Sequence, residues 1–320
     1  MENAKRKLVV IALGGNAIKQ AHESGTAEEQ FKNVEITCDQ LVKMNALGYK
    51  IIITHGNGPQ AGNLLIQQEE GKSLVPSMPL DIVGAMTQGQ IGYMFQNTLQ
   101  NYFMQKGKKI PITSVVTQVL VKEDDPDFAD PSKPVGPFYT EKEAKILEDE
   151  KDYIVKEVKP GKEKSWRRVV PSPEPYAIVE SDCIRALVDA RAIIIASGGG
   201  GIPVMKKSDG TLVGLEAVID KDKAGNKLAQ EVNADIFLIL TDVENAQINY
   251  GKPDEKPLGK ITVEEAEKYL EEGHFLAGSM GPKVAAAIRF VKAGGEKSVI
   301  TSLAHAVDAL EGKTGTIIER

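Results

Sequence analysis

LVVIALGGN, residues 8–16, decides the fold reading. Six apolar or β-branched residues in a row suit a strand buried on both faces, and they stop at a glycine pair. The same ending recurs. IIITHGNGP occupies residues 51–59, AIIIASGGGGIP residues 192–203, and IFLILTD residues 236–242. Ser298–Thr301 supplies another β-branched run. Between these runs lie segments of helical period: Asn33–Leu47 ahead of Gly48, Asp182–Ala190, a stretch opened by Thr262 and Glu265 as a capping box, and one opened by Pro282. Strands alternating with helices predict an α/β fold with an open, mainly parallel sheet sandwiched between helices.

In such a sheet, ligands bind beyond the carboxyl ends of the strands. Glycine there lets backbone N–H groups turn toward an anion, and a following helix adds its positive end. Three glycine-rich strand ends on one side of one sheet therefore predict an anion site, most simply for phosphate. Walker-type loops do not explain it. Gly312-Lys313-Thr314 has Val307 where the first glycine belongs, and Gly71-Lys72-Ser73 has Ile66. Residues 56–61, GNGPQA, match a dinucleotide fingerprint, but Asp81 follows a Pro-broken stretch rather than a second strand, so dinucleotide binding is only a minor alternative.

The rest of the composition narrows the class. In 320 residues, 39 Lys and Arg stand against 45 Asp and Glu, a net charge of -6. That argues against a nucleic-acid or anionic-membrane binder driven by global charge. The apolar runs are too short to span a bilayer, and the opening MENAKRKLVV reads as a strand entry rather than a secretion signal. Two separated cysteines, Cys38 and Cys183, exclude a disulfide framework and suit a reducing cytoplasm. Residues 122–175 break the α/β pattern with polar, charged, Pro-rich sequence, and predict a small protruding subdomain carrying part of a site.

Phosphoryl transfer needs positioning and cations more than covalent chemistry. Lys221, in VIDKD, and Lys283, in GSMGPK, are candidates, and Lys133 sits between prolines in the insertion. Lys283 falls in the first turn of a helix, where the dipole disfavours a cation unless an anion is bound. The four histidines show no ligand spacing, and Val83–Phe103 reads as core or dimer interface.

These stretches also carry a resemblance. VVIALGGNAI, THGNGPQAGN, MPLDIVGAMTQGQIGYM, DPSKPVGPFYTEKEA, RRVVPSPEP, EAVIDKDKAGNKLA, ILTDVENAQINYGKP and GHFLAGSMGPKVAAAI together resemble the carbamate kinases of the amino acid kinase superfamily, over essentially the full length. Asn16 stands where many kinases of this fold carry a lysine, and Lys133 from the insertion takes its place. The resemblance implies reversible phosphoryl transfer between carbamoyl phosphate and ADP, giving ATP and carbamate, with Mg²⁺. It also implies a cytoplasmic homodimer acting in arginine metabolism through the arginine deiminase pathway. Residues 1–190 would form the carbamate- and phosphoryl-binding lobe, and 191–320 the nucleotide lobe. By the same resemblance Gly14, Gly15 and Asn16 cradle the phosphoryl group, and Gly56, Asn57 and Gly58 hold the carbamate end. Lys133, Lys221, Asp222 and Lys283 are catalytic, with Asp222 meeting Mg²⁺ through water. Thr241, Asp242, Tyr250, Met280 and Lys283 serve the nucleotide. A sister kinase for another carboxylate, such as acetylglutamate, and a non-catalytic nucleotide sensor are the alternatives.

Overall fold

A computed structural model describes residues 6–151, 153–276 and 278–320. The first five residues of the opening stretch read above as a strand entry lie outside that range. The strand itself begins at Leu8.

Leu8–Leu13 lies at the middle of an eight-stranded sheet. From one edge the order is Lys260–Thr262, Thr316–Glu319, Lys297–Ser302, Ile236–Thr241, Leu8–Leu13, Lys50–His55, Ile193–Ile195 and Ile112–Ser114. The pairs from Lys297–Ser302 through Ile112–Ser114 are parallel. Only the step from Lys297–Ser302 to Thr316–Glu319 is antiparallel. Alternation along the central strand divides the core in two. Leu8, Val10 and Ala12 join Phe237, Ile239 and the helices Lys221–Glu231 and Met280–Lys292 on one face. Val9, Ile11 and Leu13 join Leu238, Leu240 and the helices Ala27–Ala46 and Leu80–Gln105 on the other. Truncating a fully buried member such as Ile11 to alanine would cost about 2–5 kcal/mol. The sheet has helices on both faces, as the unbroken apolar runs require.

One local reading needs correction, and one doubt is borne out. The first long helix begins at Ala27, not Asn33, because Thr26 and Glu29 form a capping box that the polar first turn concealed. Asp81 belongs to the first turn of Leu80–Gln105, so the dinucleotide fingerprint lacks the acidic strand end it needs.

Residues 122–175 hang from a neck of two antiparallel strands, Gln118–Val121 and Pro175–Ile178. These belong to a second sheet with Ile202–Lys206 and Leu212–Gly214. The protrusion holds a three-stranded sheet of Lys133–Tyr139, Trp166–Val170 and Val155–Glu157, plus the helix Glu141–Lys151 behind a Thr140–Glu143 box. Ion pairs to the body include Lys151–Glu69 at 2.7 Å, Arg168–Glu216 at 2.5 Å and, at the neck, Glu174 with Lys223 and Arg289, both at 2.7 Å. Ile193–Ile195, beyond residue 190 in sequence, inserts between Lys50–His55 and Ile112–Ser114, so the chain crosses back before completing the far half of the sheet.

Candidate active site

Gly15, Gly56, Asn57, Gly58, Lys133 and Lys221 line one cavity of about 390 Å³ beyond the strand ends. The protrusion lines it through Lys133, Val135 and Gly136, and its floor includes Gly199 and Gly201.

The cations are organised by one helix start. Asp220 caps Lys221–Glu231, its Oδ1 accepting from the N–H of Asp222 at 2.9 Å and of Lys223 at 3.3 Å. Its Oδ2 lies 3.4 Å from Lys133 Nζ, so the cap also receives the lysine of the protrusion. Burial pushes this carboxyl up, but Lys133, the two backbone N–H groups and Lys221 outweigh that and hold it below its ordinary value. Asp222 is nearly fully buried and grips two ammonium groups, Lys221 at 2.6 Å and Lys283 at 3.4 Å. Burying a carboxylate is costly unless its charge is matched, and here two cations match one anion, leaving positive charge for a ligand.

Lys283 lies outside the lining of this cavity and of a second one beside its helix start. Its Nζ also donates to the Ser279 carbonyl at 3.4 Å. Ser279 lines a cleft of about 150 Å³ with Asp242, Tyr250, Met280, Phe275 and Leu276. Three of the residues expected at the nucleotide thus meet in one cleft; Thr241 stands behind it, its hydroxyl donating to Asp242 at 2.9 Å. Gly14 also stands behind, its N–H bound to the Leu240 carbonyl at 3.2 Å, and Asn16 is exposed outside the cavity lining.

In the first two runs Gly14 and Gly56 spend their N–H groups on the Leu240 and Leu13 carbonyls, and the third run spends two. The N–H groups of Gly200 and Gly201 bond internally to the carbonyls of Ser197 and Gly198, both at 3.1 Å, so this loop is not an anion cradle throughout. It is a seat for neighbours. A Cβ on Gly198 would stand 2.4 Å from His55 Nε2, and on Gly199 2.1 Å from Asn57 Nδ2. On Gly200 it would stand 2.1 Å from the Ile219 carbonyl oxygen. Buried Gln88 stitches the loops together, donating to the Thr117 and Gly198 carbonyls and accepting from Thr117 N–H. Asn57 spends its Nδ2 on the Thr87 hydroxyl at 2.9 Å, which aims the loop rather than a free side-chain amide at the cavity. His55 is buried against Phe95, its Nδ1 3.0 Å from the Gly56 carbonyl, and burial pulls its pKa down to about 4. It is a neutral structural imidazole.

Sequence reasoning passed over Asp220, Arg167, Thr87 and Phe275. Asp220 was visible only as a residue type suited to an N-cap, and Arg167 only as half of an Arg pair in a charged insertion. Among the described residues no group of three or more His, Cys, Asp or Glu could hold a metal ion.

The amino acid kinase family model matches residues 7–302. The carbamate kinase of Thermococcus kodakarensis is 56% identical, covering 98% of this chain and 99% of its own length. Carbamate kinase 2 of Enterococcus faecalis is 48% identical, covering 98% and 99%. Among solved structures, carbamate kinase from Giardia lamblia bound to AMP-PNP superposes with a TM-score of 0.94 at 48% identity, covering 98% of this chain and 99% of that one. N-acetylglutamate synthase from Neisseria gonorrhoeae, at 13% identity and a TM-score of 0.55 over 98% of this chain and 61% of that one, shares the fold alone.

Proposed function

The chain belongs to the amino acid kinase family, in its carbamate kinase branch, and is a phosphotransferase of carbamoyl phosphate and ADP; on that premise we propose how its residues divide the reaction. The observation that carries the division is Asp222, one buried carboxylate holding both Lys221, which lines the first cavity, and Lys283, whose Nζ also bonds the carbonyl of Ser279 in the second.

The lobe ending at Lys50–His55 takes carbamoyl phosphate, and the lobe around Ile236–Thr241 takes the nucleotide. Gly15, the member of the first turn that lines the cavity, faces the transferring phosphoryl group, and Asn57 and Gly58 offer backbone to the carbamate end, whereas Gly14 and Gly56 have their N–H groups held by the Leu240 and Leu13 carbonyls and shape the turns. The missing Cβ of Gly56 makes room for the Lys221 stem, whose Cδ would lie 3.3 Å from one. Lys221 and Lys283 neutralise charge that spreads over the equatorial and bridging oxygens, a role that counts most in the transition state. Carbamate already presents an anionic oxygen nucleophile, so no side chain is needed as general base. Lys133 enters with the protrusion and selects the small anionic substrate while excluding water. Asp242, Tyr250 and Met280 receive the adenosine side, with Thr241 behind Asp242.

Mg²⁺ fits this donor set as a guest of the nucleotide phosphates rather than of a protein cage. Asp222, whose two oxygens also hold Lys221 and Lys283, would be its one carboxylate contact, through water, and the ion usually retains several waters. When bound it would supply further neutralisation of phosphate charge.

We further propose a homodimer across the exposed Ile82, Met86 and Tyr93 on Leu80–Gln105, with Ile36 beside them. Of the region read as core or interface, Ile91, Met94, Phe95 and Phe103 are buried, leaving these outward residues for a partner. Two unpaired cysteines are compatible with cytoplasmic residence, and consumption of carbamoyl phosphate with arginine breakdown. No described helix is long and apolar enough to cross a membrane.

The test is ATP formation from ADP and carbamoyl phosphate with Mg²⁺, in a coupled assay beside acetyl phosphate and acetylglutamyl phosphate. Equal or better use of acetylglutamyl phosphate would favour the sister-kinase alternative. Nucleotide binding without any turnover would favour a sensor.

A further inference from the structure

We infer that Arg167 is a specificity-determining anion contact of the carbamoyl phosphate cavity, reaching it from the protrusion opposite Lys133. The inference rests on the reading of that cavity given above. Four observations lead to it.

First, Arg167 lines the cavity, and it stands on Trp166–Val170, the strand paired with the one carrying Lys133. Second, its charge is unmatched. The other lining cations each have a carboxylate, Asp220 for Lys133 and Asp222 for Lys221. Arg167 has none within 4.0 Å among the described residues. Third, its guanidinium is only partly used. One Nη2–H donates to the Gly136 carbonyl at 2.7 Å and the plane lies 5.0 Å from the Phe138 ring, while Nε is buried without a hydrogen-bond partner. Fourth, burial works against the charged form and pulls the guanidinium below its ordinary value.

A half-buried, unpaired guanidinium is costly in the free protein. A strut that only ties Gly136 to Phe138 would explain two of its contacts, but not a cation without an anion at a cavity wall. An acyl phosphate dianion supplies the missing charge. The planar fork then bonds ligand oxygen while Nη2 keeps Gly136, so the ligand and the bulge beside Lys133 are fixed by one side chain. The same chemistry disfavours a substrate lacking that anionic oxygen.

The test is steady-state kinetics on the full chain with Arg167→Gln and Arg167→Lys, alongside thermal melts. Loss of one charge-assisted contact corresponds to a rise of about tenfold or more in KM for carbamoyl phosphate. ADP KM should stay within about twofold. Arg167→Lys keeps charge and stem but loses the fork, and should recover only part of the loss. If Arg167→Gln does not fold, Arg167→Lys alone decides. Carbamoyl phosphate KM within about twofold of wild type in the folded variant overturns the inference, as does an equal rise in both KM values. Failure of the underlying reading would look different: the wild-type protein itself would make no ATP from carbamoyl phosphate.

Discussion

Replacing Asp222 by asparagine keeps the shape of the side chain and removes its charge. The carboxylate lies 2.6 Å from Lys221 and 3.4 Å from Lys283. At an effective dielectric of ~20, those separations correspond to gross attractions of about 6 and about 5 kcal/mol. Desolvation of three nearly buried groups offsets much of this, and removing one partner from such a cluster typically costs about 3–5 kcal/mol. The helix start is untouched, because its cap is Asp220 and not Asp222. The chain should therefore fold and melt about 6–10 °C lower, at roughly 2 °C per kcal/mol for a chain this long. Catalysis should suffer separately. With no shared anion to aim them, the two ammonium groups diverge, and kcat should fall at least ~10²-fold, the scale of a lost preorganised electrostatic group. Their unmatched charge remains, so KM for ADP should hold or fall. Steady-state rates and melts on Asp222→Asn measure both. A folded variant with kcat within about threefold of wild type would refute the division of labour proposed for Lys221 and Lys283.

Lys133→Ala should raise KM for carbamoyl phosphate far more than for ADP and leave the melting temperature nearly unchanged, since Lys133 is 41% exposed and its partly solvated pair contributes little to stability. Collapse of ADP affinity with carbamoyl phosphate intact would assign Lys133 to the other cleft. His55 falls from an ordinary value of 6.5 to about 4 on burial, so between those pH values the unfolded chain binds a proton that the folded chain refuses. Stability should fall with acidification across that window by about 3 kcal/mol from this group, and urea melts of His55→Gln should show a correspondingly shallower acid slope. Gly200→Ala should fail to accumulate as native protein, given a positive φ of 91° and a Cβ 2.1 Å from the Ile219 carbonyl, whereas Gly62→Ala, with open space, should melt near wild type. Equal melting of the two variants would contradict the close packing of that turn.

The strands and the lysines were legible because their signals are local. A β-branched run ending in glycine announces a buried strand and a turn within one window, and Lys283 stood out by breaking the dipole rule at its own helix. The Thr262 and Thr140 boxes were readable for the same reason. The Thr26 box carries the same signal, but its polar first turn lacks the apolar period by which helices are noticed. What was not legible is non-local. That Asp220 meets Lys133 across 87 positions, that Ile193–Ile195 slots beside Lys50–His55, and that four glycines seat His55, Asn57, Ile219 and Val119 all depend on pairings that no window contains. Arg167 was hidden among equally charged neighbours, and its place in the cavity wall with a buried, unpartnered Nε separates it from them.

The turn at residues 198–201 bears on how such a site can change. Each of its glycines faces an atom that any added carbon would strike, from His55 at one end to Val119 at the other. The floor of the cavity is thus closed to stepwise substitution, because every first step is blocked before a second could compensate. Variation is channelled to the roof, where Leu65 and Val135 line the same space and are only half-buried. A library built to widen substrate scope should draw its diversity from the protrusion and from the helix Gly58–Gly71 packed against its Lys133–Tyr139 strand, and inheritance should have followed the same route.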